Sequence, residues 1–393
     1  MNEVVILSAC RSAIGKFGGS LKPLTGKKIA AEVMKAAINR IHLGSNLIDD
    51  VRMGCCMERI DEMNVGRVAA VEAGIPVDVP AVTINRVCDS GMEAIVSGAL
   101  YIQTGNMDIV LAGGVESMSN APFLSFDTRW GVRYRNSNIT FVDGLYQGLH
   151  AGFDIIMGKT AENLCEKYGF TREELDEVAL RSHKNAEKAT NNGRFKDEIV
   201  PIKVPQHKKD PIVFDTDEHF RSGLTMEQLA KLPPVFKKGG LVTAGNSSGI
   251  NDGAAALILM SKEKADQLGL TPLATIKGFG IAGVDPYYMG EGPVPATKKA
   301  LKNTKLSIKD MELVECNEAF AACYLTAEKL LGFDREIANV NGSGIGLGHP
   351  VGCTGARIVV TLIYEMIKRN LNIGMATLCG GGGQGMTLII ERD

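Results

Sequence analysis

A cysteine stands at an unusual place in the stretch TINRVCDSGMEAIVSGAL, residues 83–100. The neighbours of Cys88 are polar residues and a glycine that suit a turn, whereas apolar residues with helical spacing begin at Met92. A thiol just before a helix meets converging backbone N–H groups and the positive end of the helix dipole. We therefore expect this placement to lower the pKa of Cys88 and to make Cys88 a nucleophile.

A second polar group follows an apolar strand in the stretch MELVECNEAFAACYL. Asn317 and Glu318 lie between this strand and a helical segment. The junction of a strand and a helix is where an open α/β sheet presents side chains to a ligand. The alternative is that Asn317 only caps the helix that follows it.

A histidine on a restricted backbone precedes a long helical segment in NGSGIGLGHPVGCTGAR. His349 is flanked by Gly348 and Pro350, which favours one position of its ring and a role as general base or oxyanion donor. The alternative is a purely structural histidine. The glycines fit a dinucleotide-binding fingerprint poorly, and no acidic residue follows at the required distance on a new strand.

Four consecutive glycines follow Cys379 in ATLCGGGGQGMTLII. Between two apolar strands they predict a hairpin whose turn closely approaches another backbone or a ligand. Taken alone, Cys379 is an ordinary strand cysteine. Two thiols, an imidazole, an asparagine amide and a glycine-rich turn together indicate acyl transfer with carbon–carbon bond chemistry on a thioester.

Strands alternate with helices along most of the chain, which predicts an α/β fold with mostly parallel strands. The second half repeats the order of elements in the first. Cys88-x-Ser-Gly and Gly352-x-Thr-Gly share their spacing, and GMATLCGGGG parallels DIVLAGG. This repetition predicts two similar domains that pack together.

A more polar region, about 119–249, interrupts the repeat and is expected to be an insertion over the first domain. It holds Trp130 and a basic cluster of Arg129, Arg133 and Arg135, which is either a solvated face or a contact to an oligomer partner or a phosphate. Thr171 and Glu174 have the spacing of a capping box at the start of a helix.

Bulk composition excludes several classes of protein. The 393 residues carry a formal net charge of −2, so a nucleic acid or an anionic membrane surface is not the expected partner. Nine cysteines without any CxxC spacing argue against a disulfide framework and a structural zinc site. With no signal-peptide pattern and no apolar run of about 20 residues, a cytoplasmic protein is expected.

Seven motifs, in order, carry a resemblance to a known family: NRVCDSGMEAI, AGGVESMS, MGKTAENL, VTAGNSSGINDGAA, NEAFAA, GHPVGCTGAR and CGGGGQG. With them the chain resembles the thiolases, in particular their acetyl-CoA C-acetyltransferase branch. The resemblance implies two βαβαβαββ halves in five α-β-α-β-α layers. It places an N-terminal domain at 1–118 and 250–271, a loop domain at 119–249 and a C-terminal domain at 272–393.

The resemblance also implies roles for the candidate residues. Cys88 matches the acylated nucleophile, His349 the base that activates it, and Cys379 the acid/base that takes a proton from the second acetyl-CoA. Asn317 matches the residue that holds a water which, with His349, binds the thioester oxygen. The backbone N–H groups of Cys88 and Gly381 match an oxyanion hole.

The implied reaction is ping-pong condensation of two acetyl-CoA to acetoacetyl-CoA and CoA, or the reverse thiolysis. CoA thioesters are the substrates, and neither a metal nor a redox cofactor is implied. Family position places six residues along the channel for CoA and substrate: Arg221, Ser248, Met157, Ala319, Phe320 and Leu149. The resemblance of RWGVRYRN to a tetramerisation loop implies a homotetramer.

Three departures keep other functions open. Ile156 stands where biosynthetic members have histidine, which favours a broad-range 3-ketoacyl-CoA thiolase. GSGIGLGHP replaces the usual GGAIALGHP and is expected to loosen the loop before His349, and CCMERIDEMNVGRVA departs from the usual loop near the dimer contact. A ketoacyl-synthase-like enzyme does not account for Cys379, and a non-catalytic acyl-CoA-binding subunit is the remote alternative.

Overall fold

The computed structural model describes residues 1–126, 128–131 and 138–392. Within these residues the strands are β1 (Val4–Ser12), β2 (Gly15–Lys16), β3 (Asp50–Gly54), β4 (Ala81–Ile84), β5 (Ile109–Ser117), β6 (Phe123–Leu124), β7 (Val142–Asp143), β8 (Ile199–Val200), β9 (Ile202–Gln206), β10 (Lys209–Phe214), β11 (Asn251–Ser261), β12 (Ala274–Gly283), β13 (Leu313–Cys316), β14 (Ile373–Gly380) and β15 (Gln384–Glu391). The helices are α1 (Gly26–Asn39), α2 (Val65–Glu72), α3 (Ser90–Gln103), α4 (Gly144–Gly148), α5 (Met157–Tyr168), α6 (Arg172–Asn191), α7 (Met226–Ala230), α8 (Lys262–Gln267), α9 (Pro293–Thr304), α10 (Ala321–Leu331) and α11 (Val351–Arg369).

The two halves of the chain build the same strand pattern. The main path through the sheet is β13-β14-β15-β12-β1-β11-β5-β3-β4. In the first half β11 runs antiparallel to both β1 and β5, and β3 runs parallel to β5. In the second half β15 runs antiparallel to both β12 and β14, and β13 runs parallel to β14. The repetition predicted from the sequence is confirmed. The prediction of mostly parallel strands is wrong, because five of the eight pairings along this path are antiparallel.

The core is layered, and two long helices lie at its centre. Helices α3 and α11 pack on each other and on strands of both halves, while α1 and α2 cover the outer face of the first half and α9 and α10 that of the second. Fifteen of the nineteen residues of α11 are buried, as expected of a helix enclosed on all sides. Together these layers form the expected α-β-α-β-α arrangement.

Glycines let the two central helices approach closely. A Cβ atom on Gly91 would lie 2.7 Å from the backbone nitrogen of Ala356, and a Cβ on Gly355 would lie 2.4 Å from that of Met92. Gly91 and Gly355 are equivalent positions of the two motifs that share their spacing. Because Cys88 precedes α3 and His349 precedes α11, this crossing brings the starts of both helices together.

The region 119–249 contains β6 to β10 and α4 to α7. The capping box predicted at the start of α6 is confirmed, since the Thr171 side chain accepts from the N–H of Glu174 and the Glu174 side chain accepts from that of Thr171. Fully buried Arg11 ties the region to β1 through Glu198 at 2.6 Å and Asp217 at 2.7 Å.

The fold does not test the predicted domain boundaries or the predicted role of the basic cluster. The expected boundaries of the three domains stay a prediction. Arg133 and Arg135 of the basic cluster lie outside the described residues, as does most of the stretch RWGVRYRN. Trp130 is described and is 91% exposed. Among the described helices, none is long and apolar enough to cross a membrane.

Candidate active site

A tight, strained turn presents Cys88 ahead of α3. The Ser90 hydroxyl donates to the carbonyl oxygen of Val87 at 2.6 Å and accepts from the N–H of Arg86 at 2.8 Å. Asn85 accepts from the N–H of Val87 at 2.9 Å. Val87 has a φ of 51°, a left-handed conformation that is a genuine outlier for a β-branched residue. Such strain persists only where the surroundings impose it, and it clusters at functional sites.

The pKa of Cys88 is raised, which contradicts the expectation from the sequence. Burial is the largest cause, and the nearby Cys379 and Asp89 add to it, whereas hydrogen bonds from the N–H groups of Gly381 and of Cys88 itself lower the pKa. Helix α3 begins at Ser90, so Cys88 precedes it by two residues. Desolvation therefore outweighs the helix end, and the resting group is a thiol that needs a base.

The backbone of His349 is held by a residue from the other half of the chain. Asn251, at the start of β11, accepts from the N–H of His349 at 2.9 Å. Its amide nitrogen donates to the carbonyl oxygen of Gly15 at 3.0 Å and lies 3.3 Å from Nδ1 of His219. Asn251 lies in the motif VTAGNSSGINDGAA, but its role is not evident from the sequence because its partner lies 98 residues away.

The hydrogen bonds of the His349 ring define which nitrogen is free. Nδ1 lies 2.7 Å from the Thr354 hydroxyl oxygen, and that hydroxyl donates its single proton to the carbonyl oxygen of Pro350 at 2.9 Å. The hydroxyl must then accept from Nδ1–H. Nε2 carries the lone pair and has no hydrogen-bond partner among the described residues.

This histidine is neutral and able to accept a proton. Burial, with a smaller contribution from Arg357, lowers the pKa of His349 to about 3. A neutral imidazole with a bare Nε2 is the form that takes a proton from a thiol. The ring is therefore prepared as a base rather than as a cation.

Asn317 does not cap the helix that follows it, so that alternative is wrong. Helix α10 begins at Ala321 with Phe320 as its cap residue. The amide nitrogen of Asn317 lies instead 3.5 Å from Nδ1 of His349, and its buried Oδ1 has no partner in the described part of the chain. Asn317 thus lies beside the histidine ring, and the water-holding role that the resemblance implies stays a prediction.

The loop before His349 is buried throughout, from residue 341 to residue 348. The Glu318 carboxylate accepts from the Ser182 hydroxyl at 2.5 Å and from the N–H of Ile345 at 3.2 Å. A Cβ on Gly344 would lie 2.7 Å from Oδ1 of Asn317. The loop is thus held by contacts that leave no room for the alanine methyl group of the usual GGAIALGHP sequence at residue 344. These contacts argue against the expected loosening of the loop before His349.

Cys379 lies at the end of β14, and the four glycines turn the chain into β15. The predicted hairpin is confirmed, with Cys379 opposite Gly385 and Gly380 opposite Gln384. The pKa of buried Cys379 is raised, first by a hydrogen bond with the Cys323 thiol and then by desolvation. Because Cys88 and Cys379 interact electrostatically, an ionised form of one disfavours ionisation of the other.

The glycine turn approaches the Cys88 turn closely, as predicted. A Cβ on Gly381 would lie 2.9 Å from that of Ala151 and 3.0 Å from Cγ1 of Val87. Only a glycine fits in this space without a clash. The N–H of Gly381 points to the Cys88 thiol. Two backbone donors at one sulfur are the arrangement that would hold the oxygen of an acylated cysteine.

A cavity of about 660 Å³ leads to these groups. Cys88, His349 and Gly381 line its inner end, and exposed Arg221 and Lys16 lie at its mouth. All six residues expected along the channel line it: Arg221, Ser248, Met157, Ala319, Phe320 and Leu149. Asn317 and Cys379 are not among the lining residues and lie behind His349 and Gly381.

Apolar side chains dominate the wall of this cavity. Ile156 is part of it, together with Met57, Met118, Met289 and Phe236. Flexible thioethers adapt to irregular apolar ligands. The arrangement fits a long, partly apolar ligand whose charged end remains at the cationic mouth and whose reactive end reaches Cys88.

Comparisons with known proteins agree with this geometry. Residues 4–263 match the family model described as "Thiolase, N-terminal domain", and residues 270–392 match "Thiolase, C-terminal domain". An acetyl-CoA acetyltransferase from Syntrophomonas wolfei is 50% identical over 393 residues, 99% of each chain.

Two solved structures extend the comparison. A Bacillus anthracis acetyl-CoA acetyltransferase is 52% identical with a TM-score of 0.97, over 100% of this chain and 99% of that one. A human mitochondrial 3-ketoacyl-CoA thiolase in complex with CoA is 42% identical with a TM-score of 0.95, over 100% of this chain and 98% of that one.

Proposed function

The chain belongs to the thiolase family, and from that premise we propose that it is an acetyl-CoA C-acetyltransferase that condenses two acetyl-CoA to acetoacetyl-CoA and CoA. The observation that carries the proposal is that the Cys88 thiol and the bare Nε2 of His349 share the inner end of the cavity, with the Cys379 thiol close behind Gly381. The names of close relatives support the same activity.

The first half-reaction acylates the enzyme. The Cys88 thiol passes its proton to Nε2 of His349 while its sulfur attacks the thioester carbonyl carbon. The N–H groups of Cys88 and Gly381 hold the oxyanion, and each such donor contributes about 10²–10³ in rate. The carbon–sulfur bond to CoA then breaks. The Cys379 thiol gives its proton to the departing CoA sulfur, so that CoA leaves as a thiol and Cys379 is left as a thiolate.

The second half-reaction forms the carbon–carbon bond. The Cys379 thiolate takes a proton from the α-carbon of the second acetyl-CoA, whose oxygen is held by His349 and by a water on Asn317. The carbanion attacks the acyl carbon on Cys88, the bond to the Cys88 sulfur breaks, and acetoacetyl-CoA leaves. His349 returns its proton to the Cys88 sulfur, which restores the thiol. Thiolysis is the reverse. The substrates bring CoA with them, and no further cofactor or metal is proposed.

The channel residues fit CoA thioesters by their chemistry. We infer that Arg221 and Lys16 meet the anionic phosphates of CoA, while Ser248, Ala319 and Phe320 line the pantetheine arm. Met157 and Leu149 would lie along the acyl end. A soluble protein of the cytoplasm without a nucleic-acid or membrane partner remains part of the proposal.

We also propose a homotetramer. Aromatic and aliphatic side chains are exposed around the segment that resembles a tetramerisation loop: Phe123, Phe126, Trp130, Ile139 and Phe141. Exposed apolar patches of this kind mark contact surfaces. Light scattering of the purified protein tests this state, and a monomer at micromolar concentration would contradict it.

A second function is favoured by one observation. Because Ile156 makes the cavity wall apolar where a histidine is usual, longer acyl chains gain contact area. A broad-range 3-ketoacyl-CoA thiolase is therefore the alternative, and a non-catalytic acyl-CoA-binding subunit is the remote one.

One experiment separates the three functions. CoA-dependent thiolysis is measured on 3-ketoacyl-CoA substrates from acetoacetyl-CoA to 3-ketohexadecanoyl-CoA, with Cys88→Ala as control. Activity confined to acetoacetyl-CoA and lost in the variant supports the acetyltransferase. Comparable rates on long chains support the degradative class. No acylation of Cys88 with any substrate supports the binding subunit.

A further inference from the structure

A carboxyl group that the proposed mechanism does not use lies directly behind the two thiols. Asp89 is fully buried, and neither of its side-chain oxygens has a hydrogen-bond partner among the described residues. Its Oδ2 would lie 2.6 Å from a Cβ atom on Gly380. The carboxyl group therefore packs against the backbone that joins Cys379 to Gly381.

Few charged or titratable groups surround this carboxyl. Arg86 is close, but its guanidinium is bound to Glu93 at 2.8 Å and to the side chain of Gln384 at 3.1 Å. Glu93 lies one turn along α3 and repels a charge on Asp89. The remaining groups are the thiols of Cys88 and Cys379, which both interact electrostatically with Asp89.

In these surroundings the neutral form of the carboxyl is favoured. Burial raises the pKa of Asp89 well above its usual range, and Glu93 adds to this, while Arg86 only partly offsets both. Buried carboxylates that serve structure are normally hydrogen-bonded, so a buried carboxyl without any partner requires another explanation.

We propose that Asp89 is a positioning residue for the thiol pair: its neutral carboxyl keeps the space behind Cys88 and Cys379 free of charge, and its ionisation holds both sulfurs in their protonated forms. The inference rests on the proposed function, in which Cys88 and Cys379 each lose a proton once per turnover. A negative charge at Asp89 makes either loss more costly. Activity should therefore fall with rising pH as Asp89 ionises.

The test replaces the carboxyl with a group of the same shape that cannot ionise. We compare wild type and Asp89→Asn for the rate at which iodoacetamide alkylates Cys88, followed by peptide mass spectrometry from about pH 6 to about pH 10. The rates should coincide at the acid end. At the alkaline end the variant should react about tenfold faster, since one pKa unit in a thiol is tenfold in thiolate. Superimposed profiles would overturn the proposal.

Two further variants address folding and charge in general. Asp89→Ala removes the carboxyl without breaking a side-chain hydrogen bond to any described residue, and its alkylation should also be faster than in wild type at the alkaline end. Glu93→Gln removes a carboxylate from the same helix but leaves Asp89 able to ionise. Because it also removes a repulsion on Asp89 and a partner of Arg86, the slower alkylation should persist and should begin at a lower pH than in wild type. Alkylation of Asp89→Ala as slow as in wild type at the alkaline end, or alkylation of Glu93→Gln as fast as in Asp89→Asn, would contradict the assignment.

A substrate-free readout separates this inference from the proposed function. Because the folded pKa of Asp89 lies above the unfolded one, the folded state holds a proton that the unfolded state has lost. Wild-type stability should therefore decline as pH rises through that window, whereas Asp89→Asn lacks this decline. Thermal unfolding across pH measures the difference. Parallel curves would show that Asp89 does not titrate as proposed, whatever reaction the enzyme catalyses.

Discussion

Gly91 and Gly355 face each other where α3 crosses α11, and neither position has room for a methyl group. A Cβ on either glycine would lie less than 3 Å from the backbone of the opposite helix, 2.7 Å for Gly91 and 2.4 Å for Gly355. The crossing positions the turn that carries Cys88 against the loop that carries His349.

Gly355→Ala should therefore lower both stability and activity. Overpacking at a backbone contact costs about 1–3 kcal/mol, and a shift of α11 moves His349 away from Cys88. Denaturant unfolding and the thiolysis rate measure the two effects. Gly283→Ala is the matched control, because a Cβ there would meet only the carbonyl oxygen of Gly383, at 3.8 Å. Equal behaviour of the two variants would contradict the prediction.

Thr354→Val should slow the reaction with little change in KM. The substitution keeps the shape but removes the acceptor for Nδ1–H of His349, so the imidazole loses its preferred tautomer and Nε2 is no longer reliably free. A lost buried hydrogen bond of about 1–3 kcal/mol corresponds to about a 5- to 150-fold fall in kcat. Thr354→Ser retains the hydroxyl and should restore most of the rate. A Ser variant as slow as the Val variant would argue against the tautomer explanation.

An experiment that traps the acetyl-enzyme should distinguish the roles of the two catalytic cysteines. With Cys379→Ala, acetyl-CoA should still acylate Cys88, and the acetyl group should accumulate because the second half-reaction lacks its base. With Cys88→Ala, no acetyl group should be attached at that turn. Intact-protein mass spectrometry after brief exposure to acetyl-CoA reads both outcomes. Acetylation elsewhere in Cys88→Ala at the wild-type rate would remove Cys88 from the nucleophile role.

Acid should destabilise the fold through three histidines, of which His183 and His349 are buried and His219 is half-buried. Burial lowers the pKa of His349 to about 3 and the pKa values of His183 and His219 to about 4. Unfolded histidines have a pKa of about 6.5, so as pH falls below that value the unfolded state binds protons that the folded state does not. Stability is then lost by up to about 1.4 kcal/mol per pH unit for each group.

Urea unfolding between about pH 8 and about pH 4 tests this prediction. His183→Gln should reduce the change of the free energy of unfolding with pH by the contribution of one histidine. The same substitution at exposed His207 serves as control and should leave this pH dependence as it is. A wild-type stability that does not change over this range would contradict the assignment of neutral histidines.

Much of the fold was predictable because its signals are local. The capping box of Thr171 and Glu174, the strand before Cys379 and the four-glycine hairpin each depend on residues a few positions apart. The repeated order of elements can also be read directly from the sequence. The shared spacing of Cys88-x-Ser-Gly and Gly352-x-Thr-Gly places Gly91 and Gly355 at equivalent positions, and the two helices cross symmetrically there.

The site was predictable as a set of residues but not in its electrostatics. The sequence by itself determined which residue types stand at turns and helix starts, and with them Cys88, His349 and Cys379 as candidates. Only the tertiary structure decided that Asn317 lies beside a ring 32 residues away, that Asn251 holds the backbone of His349, and that Asp89 is buried without a partner. The raised pKa of Cys88 has the same explanation. A helix start is a local feature, and it lowers the pKa of a thiol, whereas desolvation is imposed by segments distant in sequence and raises it. Here desolvation is the larger effect.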